Sequence, residues 1–104
     1  MHARIARYKF SGDAQELTQK AEEGLLPIFR SKSGFQSYAI VQSDDEIFSF
    51  SAWSSAEDAE EANKEIASWV AENMPTGVEL QESRFGEILL STTLGVSSKA
   101  GARA

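Results

Sequence analysis

The chain has 104 residues, enough for one compact domain and too few for a second core. Apolar residues make up 41% of it and the net charge is −6, from 10 basic and 16 acidic residues. That balance lacks the basic stripe a nucleic-acid partner needs and disfavours an anionic membrane surface, while the absence of cysteine excludes disulfides, thiolate metal sites and thiol nucleophiles.

The first ten residues, MHARIARYKF, have no apolar core of signal-peptide length. No run approaches the roughly 18 apolar residues that span a bilayer. The expectation is a cytoplasmic protein with no membrane partner.

ARIARYKF alternates as a first strand, with Ala6, Tyr8 and Phe10 on one face and Ile5, Arg7 and Lys9 on the other. Asp13, with Glu16 three residues later, has the form of a helix cap, and Ala14, Leu17, Ala21, Leu25 and Ile28 recur at helical spacing. Gly24 and Pro27 interrupt that helix and predict a kink, because an interior proline leaves the carbonyl of Glu23 without its hydrogen bond. Gly34 suits the turn that follows.

FQSYAIVQ and EIFSFSAW, separated by a short polar turn, predict an antiparallel hairpin. A second helix is expected from Ser55 to Asn73, capped by Ser54 with Glu57 and stopped by Pro75. Its buried stripe reads Ala59, Ala62, Ile66, Trp69 and Asn73. The closing run GVELQESRFGEILLSTT has Gly86 near its middle, predicting a bend or bulge there.

The order is βαββαβ, an α+β, ferredoxin-like antiparallel sheet with two helices on one face. A single domain over residues 1–92 and a polar, flexible tail over 93–104 are expected. Because large apolar groups fall on both faces of the strands, the face without helices predicts a homodimer with sheets packed together.

Taken together, the element order, LLPIFRSKSGF, the strand-to-helix seam IFSFSAWSSAEDA and the closing FGEILL resemble the dimeric α/β-barrel superfamily. The likeness is strongest to its antibiotic-biosynthesis-monooxygenase branch and runs from Ile5 to Thr92. It implies a sheet-to-sheet dimer with a pocket in each subunit between sheet and helices. It also implies a range of activities, from cofactor-free oxidation of polyketide phenols to haem degradation, isomerisation and ligand binding, among which fold cannot choose. Haem-degrading relatives use a histidine near the second helix and an asparagine in the first strand. Here His2 is the sole histidine and the first strand has no asparagine, so neither haem nor another cofactor or metal is expected. Many relatives place a histidine where Asn63 stands.

Cofactor-free oxygenation needs orientation, hydrogen bonds and a dry pocket, which tryptophan, tyrosine and asparagine supply. The candidate site residues are Trp53, Asn63, Trp69 and Tyr38. Trp53 shares a strand face with Ser49 and Ser51, which leave room above the sheet; it equally serves as a plug where strand meets helix. Trp69 lies on the buried helix stripe, where core packing is the plainer role. Asn63 flanks that stripe and either orients a ligand or sits on the helix shoulder. Tyr38 and Tyr8 offer hydroxyls or are packed aromatics, and Arg84 binds an anion or pairs with Glu82 or Glu87. A base would be a carboxylate such as Glu87, a tyrosinate, or the substrate's own acidity.

The expected activity is that of a cofactor-independent monooxygenase-like enzyme acting on a small aromatic or polyketide-like substrate. The alternative is a non-enzymatic small-ligand-binding or structural dimer. A small hydrophobic or aromatic ligand is expected in either case.

Overall fold

The computed structural model of the chain describes residues 1–74 and 77–97. Four strands, β1 (His2–Phe10), β2 (Phe35–Ser43), β3 (Glu46–Trp53) and β4 (Val78–Glu87), form one antiparallel sheet in the order β2-β3-β1-β4. Helices α1 (Ala14–Lys20) and α2 (Leu26–Ser31), joined through a π turn, and the long α3 (Ala56–Asn73) connect them. This is the predicted α+β, ferredoxin-like arrangement.

Asp13 caps α1, accepting from the backbone N–H of Gln15 at 2.9 Å, so its partner is not Glu16. The break expected around Gly24 and Pro27 is a π turn over Ala21–Leu25, in which Leu26 donates its N–H to the carbonyl of Ala21. The wider turn accommodates the donor missing at Pro27. It also tolerates no side chain at Gly24, where an added β-carbon would collide with the six-membered ring of Trp69.

Ser55, one residue later than expected, caps α3 by accepting from the N–H of Asp58 at 3.1 Å. Ser54 instead ties the end of β3 to the turn before β2 through its N–H to the carbonyl of Gly34, 2.8 Å away. Gly34 has a φ of 83°, which a side chain would strain, and packs its bare α-carbon on Asp58. Pro75 lies outside the described residues.

In β4 the irregularity is not at Gly86, which pairs regularly with Ala3. It falls where Arg7 faces Glu82 but Tyr8 faces Leu80, leaving Gln81 as the extra residue. That insertion turns Leu80 and Val78 to the same side as Tyr8 and Phe10. A second irregularity between Phe35 and Ser37 puts Phe35 opposite Trp53, on the face of Tyr38 instead of that of Ala39 and Val41. Beyond β4, residues 91–96 form a turn closed by a Ser91–Val96 bridge, and residues 98–104 of the polar tail are outside the described residues.

Under the helices the core divides in two. One cluster joins Ala21, Leu25, Phe29, Trp53, Ala59, Ala62 and Ile66. The other joins Ala6, Tyr8, Phe10 and Ile47. The far side of the sheet carries Ile5 beside Phe50 and Ala39, with Phe48 beside Val41; Ile5 and Val41 are more than half exposed, at 51% and 58%.

Candidate functional site

Between the two clusters lies a cavity of about 40 Å³, counted as the space open to the centre of a water-sized sphere. That holds roughly two or three waters. Its sheet side is built from Arg4 and Tyr8 of β1, Ser49 and Ser51 of β3, and Tyr38 of β2. Strand alternation sets this group: Arg4 faces Ser51 and Ala6 faces Ser49 across β1 and β3, and Tyr38 faces Ser51 across β2 and β3. The roof is Ala21 and Leu25 of the π turn, Phe29 of α2, and Ile66 and Val70 of α3.

The buried polar or charged residues among the described residues are Arg4, Ser49 and Ser51, and all three line this cavity. Short serine side chains leave the space that bulkier neighbours would fill. The two hydroxyls and the guanidinium give an otherwise apolar chamber its polar points.

On the α3 side the cavity abuts an open cleft of about 390 Å³ between α3 and the edge of the sheet. Arg4, Tyr8, Val70, Met74 and Val78 line both spaces, so the floor of the cleft is a wall of the chamber. Leu80, brought round by the Gln81 insertion, adds an apolar flank.

Tyr38 is the sequence-predicted candidate placed in the cavity wall. Its ring stacks on Phe29 with centroids 4.2 Å apart. Burial pushes its phenol pKa well above the ordinary value, the nearby Tyr8 raises it further, and Arg4 pulls it partly back. Tyr38 is therefore a neutral hydroxyl near pH 7, a hydrogen-bond donor and not a tyrosinate base.

Trp53 stands one layer behind. It is 1% exposed, packs edge-on to Phe35, lies against Phe29, and donates its indole N–H to the hydroxyl of Ser51 at 2.9 Å. It reaches the chamber through Ser51. Trp69 packs on Gly24 of the π turn and against the first core cluster, and is not part of the cavity lining.

Asn63 is also outside the lining, yet its carbonyl oxygen is buried without a hydrogen-bond partner among the described residues. Of the other residues considered, Tyr8 lines the chamber at 9% exposure. Arg84 is exposed and paired with Glu82. Glu87, opposite His2 at the end of β4, is exposed.

The residue that sequence reasoning passed over is Arg4. An arginine in an alternating first strand reads as solvent-facing, although its even position, shared with Ala6, Tyr8 and Phe10, assigns it to the inner face. Among the described residues no three His, Cys, Asp or Glu side chains gather as a metal site, and no helix is long and apolar enough to cross a membrane.

No protein-family profile matches the chain, and no curated protein matches it in sequence. Solved structures do match in shape. A protein of Chloroflexus aurantiacus assigned as an antibiotic biosynthesis monooxygenase superimposes with a TM-score of 0.64 at 17% identity, over 90% of this chain and 98% of that one. SnoaB, a cofactor-independent oxygenase from Streptomyces nogalater, gives 0.61 at 14% identity, over 90% and 96%. A monooxygenase of Streptomyces coelicolor, solved with nanaomycin D, gives 0.61 at 19% identity, over 86% and 92%. The chain has the fold of antibiotic-biosynthesis-monooxygenase-like α/β-barrel proteins.

Proposed function

We propose that the chain is a cofactor-independent oxygenase that oxidises a compact, electron-rich aromatic or polyketide-like substrate bound in the cleft and chamber between sheet and α3. The observation that carries this reading is the concentration of the buried polar side chains, Arg4, Ser49 and Ser51, around one space that also holds Tyr8 and Tyr38. Two of the solved proteins of this shape are described as oxygenases, one of them cofactor-independent.

The chemistry asked of the protein is modest. An activated phenol or its keto tautomer loses a proton, and the resulting carbanion reacts with dioxygen, the oxidant. One oxygen atom becomes the new carbonyl, and the other leaves as water with the two hydrogens lost from that carbon. The substrate's own acidity replaces a protein base, its proton passing to water, and the charge of Arg4 holds the anionic substrate at the site. Tyr38 donates a hydrogen bond to the substrate oxygen. Trp53 fixes the hydroxyl of Ser51. Trp69, packed on Gly24, holds the π turn that roofs the chamber.

The bare sheet face supports a homodimer. Ile5, Val41, Phe48 and Phe50 gather there, and burial of such a surface contributes roughly 25 cal/mol per Å². The ion pairs of Arg7 with Glu46 and Glu82 lie on the same face and fix register at its border.

Oxygen consumption with anthrone tests the enzymatic reading. The wild type is expected to exceed the uncatalysed rate, and Tyr38→Phe to lose at least tenfold of that excess. Rates equal to the uncatalysed reaction for both proteins leave the second reading, a ligand-binding or structural dimer. The small volume of the chamber, about 40 Å³, favours that alternative.

A further inference from the structure

The chain treats its arginines unequally. Arg7, on the outer face, has the carboxylate of Glu46 at 2.6 Å and that of Glu82 at 3.9 Å, and exposed Arg84 also has Glu82. Among the described arginines Arg4 is the buried one, at 7% exposure, and none of the ion pairs among the described residues includes it. Its side chain makes one hydrogen bond among those residues, from Nε to the hydroxyl of Ser83 at 3.1 Å.

A guanidinium carries five N–H donors, and burying its charge without a counter-ion is costly. The cost is incurred at one position, where Arg4 borders both the inner chamber and the open cleft. Because Ser83 occupies Nε, the two terminal nitrogens are the fork that remains, matched to a planar group with two oxygens. The walls around it are apolar: Val70, Met74, Val78 and Leu80.

We propose that Arg4 anchors an organic carboxylate, so that the ligand of this site is an aromatic acid whose carboxylate lies on the Arg4 fork and whose apolar body lies along α3 and Leu80. This deepens the reading of the chamber and cleft as the substrate site and rests on it. The surrounding protein is net negative, at −6, so recognition of an anion depends on this local cation in its desolvated setting.

Calorimetric titration with 2-naphthoate, 2-naphthamide and 2-naphthol at low salt tests the assignment. Wild type is expected to bind the acid at least tenfold more tightly than the amide. In Arg4→Gln that preference disappears, and Arg4→Lys, which keeps charge without the fork, retains part of it.

Equal affinity of wild type for acid and amide, including no measurable binding of either at millimolar concentration, overturns the proposal, as does a preference that survives in Arg4→Gln. A naphthol that binds as tightly as the acid overturns the carboxylate assignment. The wild-type comparison stands even where a variant fails to fold. Oxygen uptake is read separately: acid preference without oxygen consumption retains this site and removes the oxygenase, and the opposite pair of results does the reverse.

Discussion

The indole N–H of Trp53 donates to the hydroxyl of Ser51, two residues back on the same strand face, and both side chains are buried. Ser51 is thereby held as an acceptor, with its own proton free to turn toward the chamber it lines. Ser51→Ala strands the indole N–H in an apolar aromatic cluster and is expected to cost about 1–3 kcal/mol. In the double variant with Trp53→Phe the two losses should fall short of additivity by on the order of 1 kcal/mol, measured by urea unfolding. Full additivity would mean that the bond contributes nothing.

The phenol of Tyr38 makes stability depend on alkaline pH. Its folded-state pKa is raised, mainly by burial, above the ordinary value of 10.0. Between the unfolded and folded values the unfolded chain has lost a proton that the native one keeps, so unfolding becomes easier as pH rises. The contribution is fully present below pH 10.0 and is lost above it. Thermal unfolding across that range should show a steeper decline for wild type than for Tyr38→Phe, and parallel curves would count against the buried, neutral phenol.

Gly24 and Trp69 are a second coupled pair. A methyl group on Gly24 meets the indole ring, so Gly24→Ala must displace Trp69 or distort the π turn. A loss of about 1–3 kcal/mol is expected, with a shift in tryptophan emission, whereas a mid-helix glycine in open space would gain from alanine. A stabilised variant with unchanged emission would contradict the packing described.

Much of this was legible in the sequence. Alternation and capping residues specified the element order, and the pair Ser49 and Ser51 pointed to room above the sheet. The misses came from single-residue insertions. Gln81 bulges in place of Gly86, and an irregularity beside Gln36 moves Phe35 to the inner face, and neither residue carries a local signature. Arg4 was missed for a different reason: residue type outweighed position. Trp69 is an instance of the ambiguity between packing a helix stripe and facing a ligand, which only the neighbouring helix resolves.

Arg4 should also reveal itself in the free protein. A buried charge kept without a carboxylate is a stability liability, so Arg4→Met, which preserves the stem and removes the charge, is expected to raise stability by on the order of 1 kcal/mol and Tm by a few degrees. A fall in Tm would make the guanidinium structural in the ligand-free state.

On the bare sheet face, Ile5 and Phe50 are direct cross-strand neighbours. Sedimentation should find wild type dimeric at micromolar concentration, and Phe50→Glu should shift it to monomer with the far-ultraviolet circular dichroism retained. A monomeric wild type removes the interface.

The π turn over Ala21–Leu25 has one further implication. A π turn holds one more residue than the α turn it replaces, and here the surplus lies in the segment that sets Ala21 and Leu25 over the chamber. Removing one residue within this segment takes out the surplus while the helical turns on either side keep their faces, so the roof changes at Ala21 and Leu25 and not at Leu17 or Phe29. In this architecture the roof of the chamber is the place where the chain can take up or release a residue without altering the sheet beneath it.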